Sequence, residues 1–337
     1  MPCLDRVCWA ETGVDAFDCE RHPYPVQVFK TGDASVYSVK ELDELTGNYN
    51  DIYDIAYDGH INAVALYDGG DAGQFAFASM DGELCRFDAD DRVCFSTELG
   101  LGGKPNVGAI IDQTYYYTRS LGDGKSTGRS IYIVDSIQDD EPSFSSEVLV
   151  EFSEDLISGK ILDLAGIMEG NGVCVTTDCD GRYLLGLAKD FSLLLVRVNG
   201  ESHLPEAYAY LPSTVDWSST NTSVDTTTDG FGAAYAYELA YGAARVFFTA
   251  NGGEGLFEVL LPLAIPTDCW NAGTERPSHT ACSATSEVVW SSPSDVKRHL
   301  KLTADLDGAE LAVVPGEPVS AEALDDMVQR SAACVIS

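Results

Sequence analysis

Short apolar runs that alternate with polar residues, each closed by Gly, Asp or Asn, fill the chain from about Val26 to Leu263, and stretches with a 3.6-residue apolar period are almost absent there. A period of two puts successive side chains on opposite faces of a strand, so this region reads as all-β. One pattern recurs: a strand of small residues, a turn, an aromatic strand, a second turn, and a strand closing on an acidic residue. The clearest copy runs through Ile61–Leu66, Gln74–Ala78, Gly82–Asp88 and Val93–Phe95. The next has Val107–Ile111, Thr114–Thr118, Ser130–Asp135 and Val148–Phe152. A third uses Ile161–Ala165, Arg182–Leu187 and Leu193–Val198, and a fourth Phe231–Tyr235, Arg245–Thr249 and Gly255–Val259.

The copies start 46, 54 and 70 residues apart, the longest interval holding the Ser/Thr-rich insert Ser213–Gly230. The shorter intervals sit near the ~40–50 residues of a four-stranded propeller blade. We therefore expect a β-propeller of four-stranded blades, about five to seven of them, although a β-sandwich or stacked solenoid would also suit short alternating strands. Small residues on the first strand of each copy fit a crowded axis, and aromatic second strands fill the wider space between blades. Tyr115-Tyr116-Tyr117 should pack alternately between blades. The early strands Val26–Phe29 and Val36–Val39 are expected to pair with C-terminal strands and close the ring, which removes exposed edges. Three parts follow: a Cys-containing segment 1–22, the propeller 23–265, and a Cys/Ser/Pro-rich tail 266–337. In the tail, Ser320 can cap a short helix over Ala321–Arg330, with Leu324, Met327 and Val328 on one face.

Charge changes the list of partners. Fifty-four acidic residues against 20 basic give a net charge of −34, a field that repels nucleic acid, whose binding rests on Lys and Arg displacing counterions from phosphates. The longest apolar runs, such as Gly255–Ile265, are broken by Glu258 and Pro262, so no transmembrane helix is expected.

Ten cysteines bear on the compartment. Cys85 and Cys94 fall on consecutive strands of the first copy, Cys174 and Cys179 flank one tight loop, and Cys269 and Cys282 bracket a turn-rich stretch. We expect disulfides at these pairs and an oxidising, extracellular or cell-surface setting. Zinc is disfavoured because no histidine adjoins a pair and no C-x-x-C occurs. Asn221-Thr222-Ser223 is a glycosylation sequon in the polar insert. Against export, Met1-Pro2-Cys3-Leu4-Asp5 does not read as a signal peptide, and Cys334-Val335-Ile336-Ser337 fits a prenylation box. A cytosolic propeller scaffold, membrane-anchored through prenylated Cys334, is the alternative.

The runs Ile61-Asn62-Ala63-Val64-Ala65, Phe231-Gly232-Ala233-Ala234-Tyr235, Phe247–Phe257 and Asp268-Cys269-Trp270 together resemble a secreted β-propeller domain of unknown function found in bacterial and algal surface or cell-wall-associated proteins. The resemblance covers about Tyr24 to Cys282. It implies a non-catalytic extracellular module for binding, adhesion or structure, with protein or glycan partners and no assigned catalytic residues.

A propeller binds ligands where the turns entering its inner strands converge. Polar residues mark that mouth here: Asn62 with His60 nearby, Asn106, Asp163 and Asp229. Their oxygens, brought to one axis, could hold Ca²⁺, although no cofactor is required; Asn and Asp also cap turns on their own backbone. Were a metal held there, His60 could act as base in a lactonase-like, metal-dependent propeller hydrolase. No G-x-S-x-G, H-E-x-x-H or G-x-x-x-x-G-K motif occurs.

Overall fold

The computed structural model describes residues 13–19, 21–22, 26–31, 35–43, 48–69, 73–95, 104–120, 128–139, 143–144, 149–152, 161–168, 181–188, 193–199, 202, 204–211, 213–215, 231–238, 244–250, 256–261, 270–271, 282–288 and 299–306. All of the regular structure there is β. The first sheet holds β1 (Val26–Lys30), β2 (Val36–Asp43) and β3 (Asn48–Ala56). The second is β4 (Ile61–Asp68), β5 (Gln74–Met80), β6 (Glu83–Phe87) and β7 (Arg92–Phe95) in chain order. The third runs β8 (Lys104–Ile111), β9 (Thr114–Ser120), β10 (Ser130–Asp135) and β11 (Ser143–Phe144), with β12 (Val150–Glu151) also on β10. The fourth is β13 (Ile161–Met168), β14 (Arg182–Ala188), β15 (Leu193–Val198) and β16 (Pro205–Leu211). In the fifth, β17 (Ser213–Val215) lies at one edge and β18 (Phe231–Glu238), β19 (Ala244–Ala250) and β20 (Leu256–Leu261) form a meander. Later, β21 (Trp270–Asn271) adds to the fourth sheet, and β22 (Cys282–Val288) and β23 (His299–Leu306) lie between β17 and β20.

The sheets are meanders because consecutive strands are joined by short turns whose residues suit them. Between β5 and β6 the two connecting residues, Asp81 and Gly82, both take positive φ, 52° and 91°, the conformation that matches a two-residue hairpin to the twist of its strands. Met80 and Glu83 then face each other across the ladder.

Successive sheets lie face to face, as blades. Val26, Tyr37, Val39 and Ile55 of the first sheet pack with Val64, Ala76, Ala78, Met80 and Phe87 of the second. The second meets the third through Ala65, Phe77, Leu84, Tyr115, Tyr117 and Tyr132. Val107, Ile111, Tyr116 and Ile131 of the third pack on Leu164, Leu184, Leu194 and Val196 of the fourth. The tyrosine triplet therefore alternates as its period of two requires: Tyr115 and Tyr117 face the second sheet, and Tyr116 faces the fourth. Consecutive sheets meet chiefly through their first strands, with β4 beside β8, β8 beside β13 and β13 beside β18. Sheets that fan out from a line of first strands form a propeller arrangement. Two stacked sheets or a solenoid would not bring those four strands together.

Closure of the ring by pairing of the early strands with C-terminal ones is not seen among the described residues, where β1 pairs with β2 and β2 with β3, and residues 307–337 lie outside them. Neighbours in sequence close a shorter loop and lose less chain entropy, and the backbone bond from Thr31 N–H to the Val36 carbonyl (3.0 Å) ties β1 to β2 directly. The helix expected over 321–330 lies outside the described residues.

The expected Cys85–Cys94 disulfide is present, joining residues paired directly across β6 and β7 with Cα atoms 4.0 Å apart. It closes a loop of about 10 residues, for which chain-entropy reasoning gives ~2–3 kcal/mol. We predict that Cys85→Ala/Cys94→Ala lowers stability by about that amount in urea titration; an unchanged midpoint would show that the unfolded chain is already restricted there. Cys19 is also disulfide-bonded. Cys174, Cys179 and Cys269, and the side chain of Cys282, lie outside the described residues.

Candidate functional site

Each first strand carries an irregularity near its N-terminal end. The ladder skips between Asn62 and Ala65 in β4, Pro105 and Val107 in β8, Ile161 and Asp163 in β13, and Phe231 and Ala233 in β18. Within the first of these bulges Ala63 takes φ 53°. A bulge twists a strand and re-aims the side chains beside it. Four bulges at one level shape the end of the first strands where the chain enters from each preceding sheet, the mouth that the polar residues were expected to mark.

At β4 the entry is the segment Tyr57–His60. The Asp81 carboxylate fixes it, accepting from the Tyr57 hydroxyl (2.9 Å) and the His60 backbone N–H (2.9 Å). Burial and that hydrogen bond push the Tyr57 hydroxyl up to about 12. The Tyr37 hydroxyl donates to the Gly59 carbonyl (2.7 Å) and accepts from the Ile61 N–H (3.2 Å). His60 itself is exposed. The Asn62 side chain reaches into the next blade, its Nδ2 donating to the Pro105 carbonyl at 2.9 Å. That leaves its Oδ1 as the acceptor the amide offers at the mouth. In register with Pro105, Arg119 ends the aromatic row of the third sheet, its guanidinium 3.8 Å from the Tyr132 ring centre. Tyr132 stacks on Tyr117, and Tyr117 on Tyr115.

Tyr115 ties this row back to the bulge. Its hydroxyl donates to the Ala63 carbonyl at 2.6 Å, and both residues are buried. We predict that Tyr115→Phe costs about 1–2 kcal/mol in chemical denaturation, because a buried carbonyl loses its donor. A loss within error would mean that the bulge finds another partner.

Asp163 is the most unusual residue at this level. It is 6% exposed, its Oδ1 accepts from the Leu164 N–H (3.0 Å), and its Oδ2 has no hydrogen-bond partner. Burial drives its pKa well above the ordinary 3.8, and the backbone hydrogen bond opposes this only in part. Asn62 and Asp163 thus stand at corresponding ends of β4 and β13, with β8 between those strands. Asn106 lies in the β8 bulge, but its side chain, like Asp229, Asn221 and Cys334, lies outside the described residues. Among the described residues no group of three or more His, Cys, Asp or Glu gathers to hold a metal. No helix there is long and apolar enough to cross a membrane.

Sequence reasoning selected Asn62 and Asp163 but missed Asp81, Tyr37 and Arg119. Asp81-Gly82 carries a hairpin signal that hides its second use, and nothing local marks Tyr37 as a bridge to a segment 22 residues away. The site can offer an amide oxygen and a half-used carboxyl to a polar ligand.

No protein-family model matches the chain, and no curated protein matches it. The solved structures it resembles include a luciferin-regenerating enzyme, at 10% identity and TM-score 0.39 over 80% of this chain and 81% of that one. Another is the six-bladed, fucose-recognising lectin of Aleuria aurantia, at 12% and 0.35 over 81% and 89%. A third is the Cps50 (Swd1) β-propeller domain of Myceliophteria thermophila, at 10% and 0.36 over 82% of each chain. Propellers are thus among the similar structures, and with scores this low the blade architecture rests on the strand pairing and inter-sheet packing above.

Proposed function

We propose that this chain is a non-catalytic binding module, serving adhesion or structure in a secreted or cell-surface assembly, which takes a protein or glycan ligand at the bulged end of its first strands. The observation that carries the reading is Asp163 Oδ2: a buried carboxyl oxygen without a hydrogen-bond partner, beside a bulge that every first strand shares. A group left unsatisfied in the free protein is a natural acceptor or donor for a ligand. The bonded state of Cys19, Cys85 and Cys94 supports the exported setting over the cytosolic one. Should Ca²⁺ take part, Asp163 would supply its unpartnered carboxyl oxygen and Asn62 its Oδ1.

A glycan array probed with the full chain, with calcium and with chelator, tests this. Asp163→Ala and Asn62→Ala should each weaken binding about tenfold or more, the worth of one well-placed polar contact. Binding equal to that of the wild type would remove the site. Turnover of an ester or lactone panel that disappears in His60→Ala would instead establish the hydrolase.

A further inference from the structure

The loop that carries the chain from the first sheet into the second is tied down more thoroughly than an exposed connection requires. Two side chains, Asp81 from the second sheet and Tyr37 from the first, hold the segment from Tyr57 to Ile61 through four hydrogen bonds. Gly59 makes this possible, because a Cβ there would collide with the Asp81 carboxylate. The loop is thus locked to both blades, while Asp58 and His60 remain exposed.

Arg92, the first residue of β7, completes the arrangement. It is exposed, and its guanidinium lies 5.0 Å from the centre of the Tyr57 ring, across the boundary between the two sheets. Asp81 and Glu83 both act on the Tyr57 hydroxyl through their charge, yet Arg92 makes no ion pair with a described residue. Stacking on a ring fixes the plane of a guanidinium without using its N–H donors.

We propose that Arg92, the Tyr57–His60 loop and Glu83 form a binding site of their own, spanning the first two blades, that takes a neutral, hydroxyl-rich glycan. It goes beyond the reading at Asp163 and stands without it. Planar donors and acceptors side by side, the guanidinium of Arg92 and the carboxylates of Asp58 and Glu83, suit vicinal hydroxyls, each of which both donates and accepts. Those carboxylates and the net charge of −34 disfavour an anionic ligand. A protein partner would need apolar or aromatic anchors, and no large apolar side chain is exposed at this loop; the exposed large hydrophobic residue among those described is Leu204, which precedes β16. Each hydrogen bond to a sugar replaces one to water and gains little, so a loop already ordered in the free protein decides whether the sugar binds.

Methyl glycosides of glucose, galactose, mannose and fucose, added at millimolar concentration to the full-length protein with chelator present, test this through backbone amide NMR shifts. At least one should shift residues 57–60 and 83 in a saturable way. Arg92→Ala, at an exposed position and with an unchanged urea midpoint, should weaken that glycoside about tenfold or more, the worth of one well-placed polar contact. Asp163→Ala should leave its affinity unchanged. No shift at 57–60 with any of the four, or wild-type affinity in Arg92→Ala, overturns the site. Binding lost in Asp163→Ala but kept in Arg92→Ala overturns it while upholding the reading at Asp163. Preference for methyl glucuronoside over all four overturns the assignment to a neutral glycan.

Discussion

Gly166→Ala should destabilise the protein by about 2–4 kcal/mol, although it adds a single methyl group to a strand. A Cβ at Gly166 would stand 2.6 Å from the Ile110 carbonyl oxygen and 3.1 Å from Ile111 Cγ1. The first obstacle is backbone of the neighbouring first strand, so no side-chain rotation relieves it and β13 has to move off β8. Overpacking of a tight core costs ~1–3 kcal/mol, and more where backbone must shift. Gly186 in β14 provides the control. Its nearest neighbours would lie at ordinary contact, 3.4 to 3.7 Å, and all are side-chain atoms. Gly186→Ala should therefore stay within about 1 kcal/mol of the wild type, since alanine also restricts the unfolded chain. Urea titrations of the two variants decide the matter. Equal losses would mean that the first strands are not in close contact, and with that the blade arrangement would fail.

Asp163→Asn should stabilise the protein at pH 8 by about 1–3 kcal/mol in calcium-free buffer, and should flatten part of its pH dependence. The sign follows from proton binding. Burial raises the folded pKa of Asp163 above the ordinary 3.8. Between those two values the folded protein holds a proton that the unfolded chain has released. Stability therefore falls as pH rises through this window and stays lowered above it. Below about pH 4 both states are protonated and the penalty vanishes. Asparagine keeps the shape and an oxygen for the Leu164 N–H but has no charge to bury. The other carboxylates of this acidic chain also titrate, so the informative quantity is the difference between variant and wild type, measured from pH 4 to pH 8. A constant difference across that range would mean that Asp163 is ionised when folded and has a partner.

These two predictions describe one region from opposite sides. Gly108 and Gly166 show first strands packed as closely as backbones allow, and Asp163 shows a polar group kept among them at a cost in stability. Residues that lower stability at a shaped surface mark function more often than packing, because the site has to leave a group unsatisfied for its ligand to complete. Addition of calcium gives a further reading of the same experiment. If the wild type gains stability and Asp163→Asn does not, the carboxyl takes part in holding the ion.

Much of the architecture was legible in the residues themselves. Alternation with a period of two identified the strands, and Asp81-Gly82 marked a hairpin. Tyr115-Tyr116-Tyr117 divides between two inter-sheet cores as strand geometry requires, and Cys85 faces Cys94 because their strands are joined by one short turn. Small residues on β8 and β13 gave away the crowded line of first strands. All of these are local statements, settled by a few neighbouring residues and by which face of a strand they point to.

Tertiary structure alone decided the rest. The bulges at Asn62, Pro105, Ile161 and Phe231 arise where one strand's ladder has to accommodate the next blade, and no turn residue announces them. Asn62 was expected at the mouth, but its choice of the Pro105 carbonyl depends on how close β8 lies to β4. Asp163 was selected as one oxygen among several, whereas its isolation reflects what packs around β13. The neighbours of the early strands are likewise a tertiary matter, β1 pairing with β2 and β2 with β3 among the described residues, since sequence pattern specifies a strand's faces but leaves its edge partner to whichever segment the fold brings alongside.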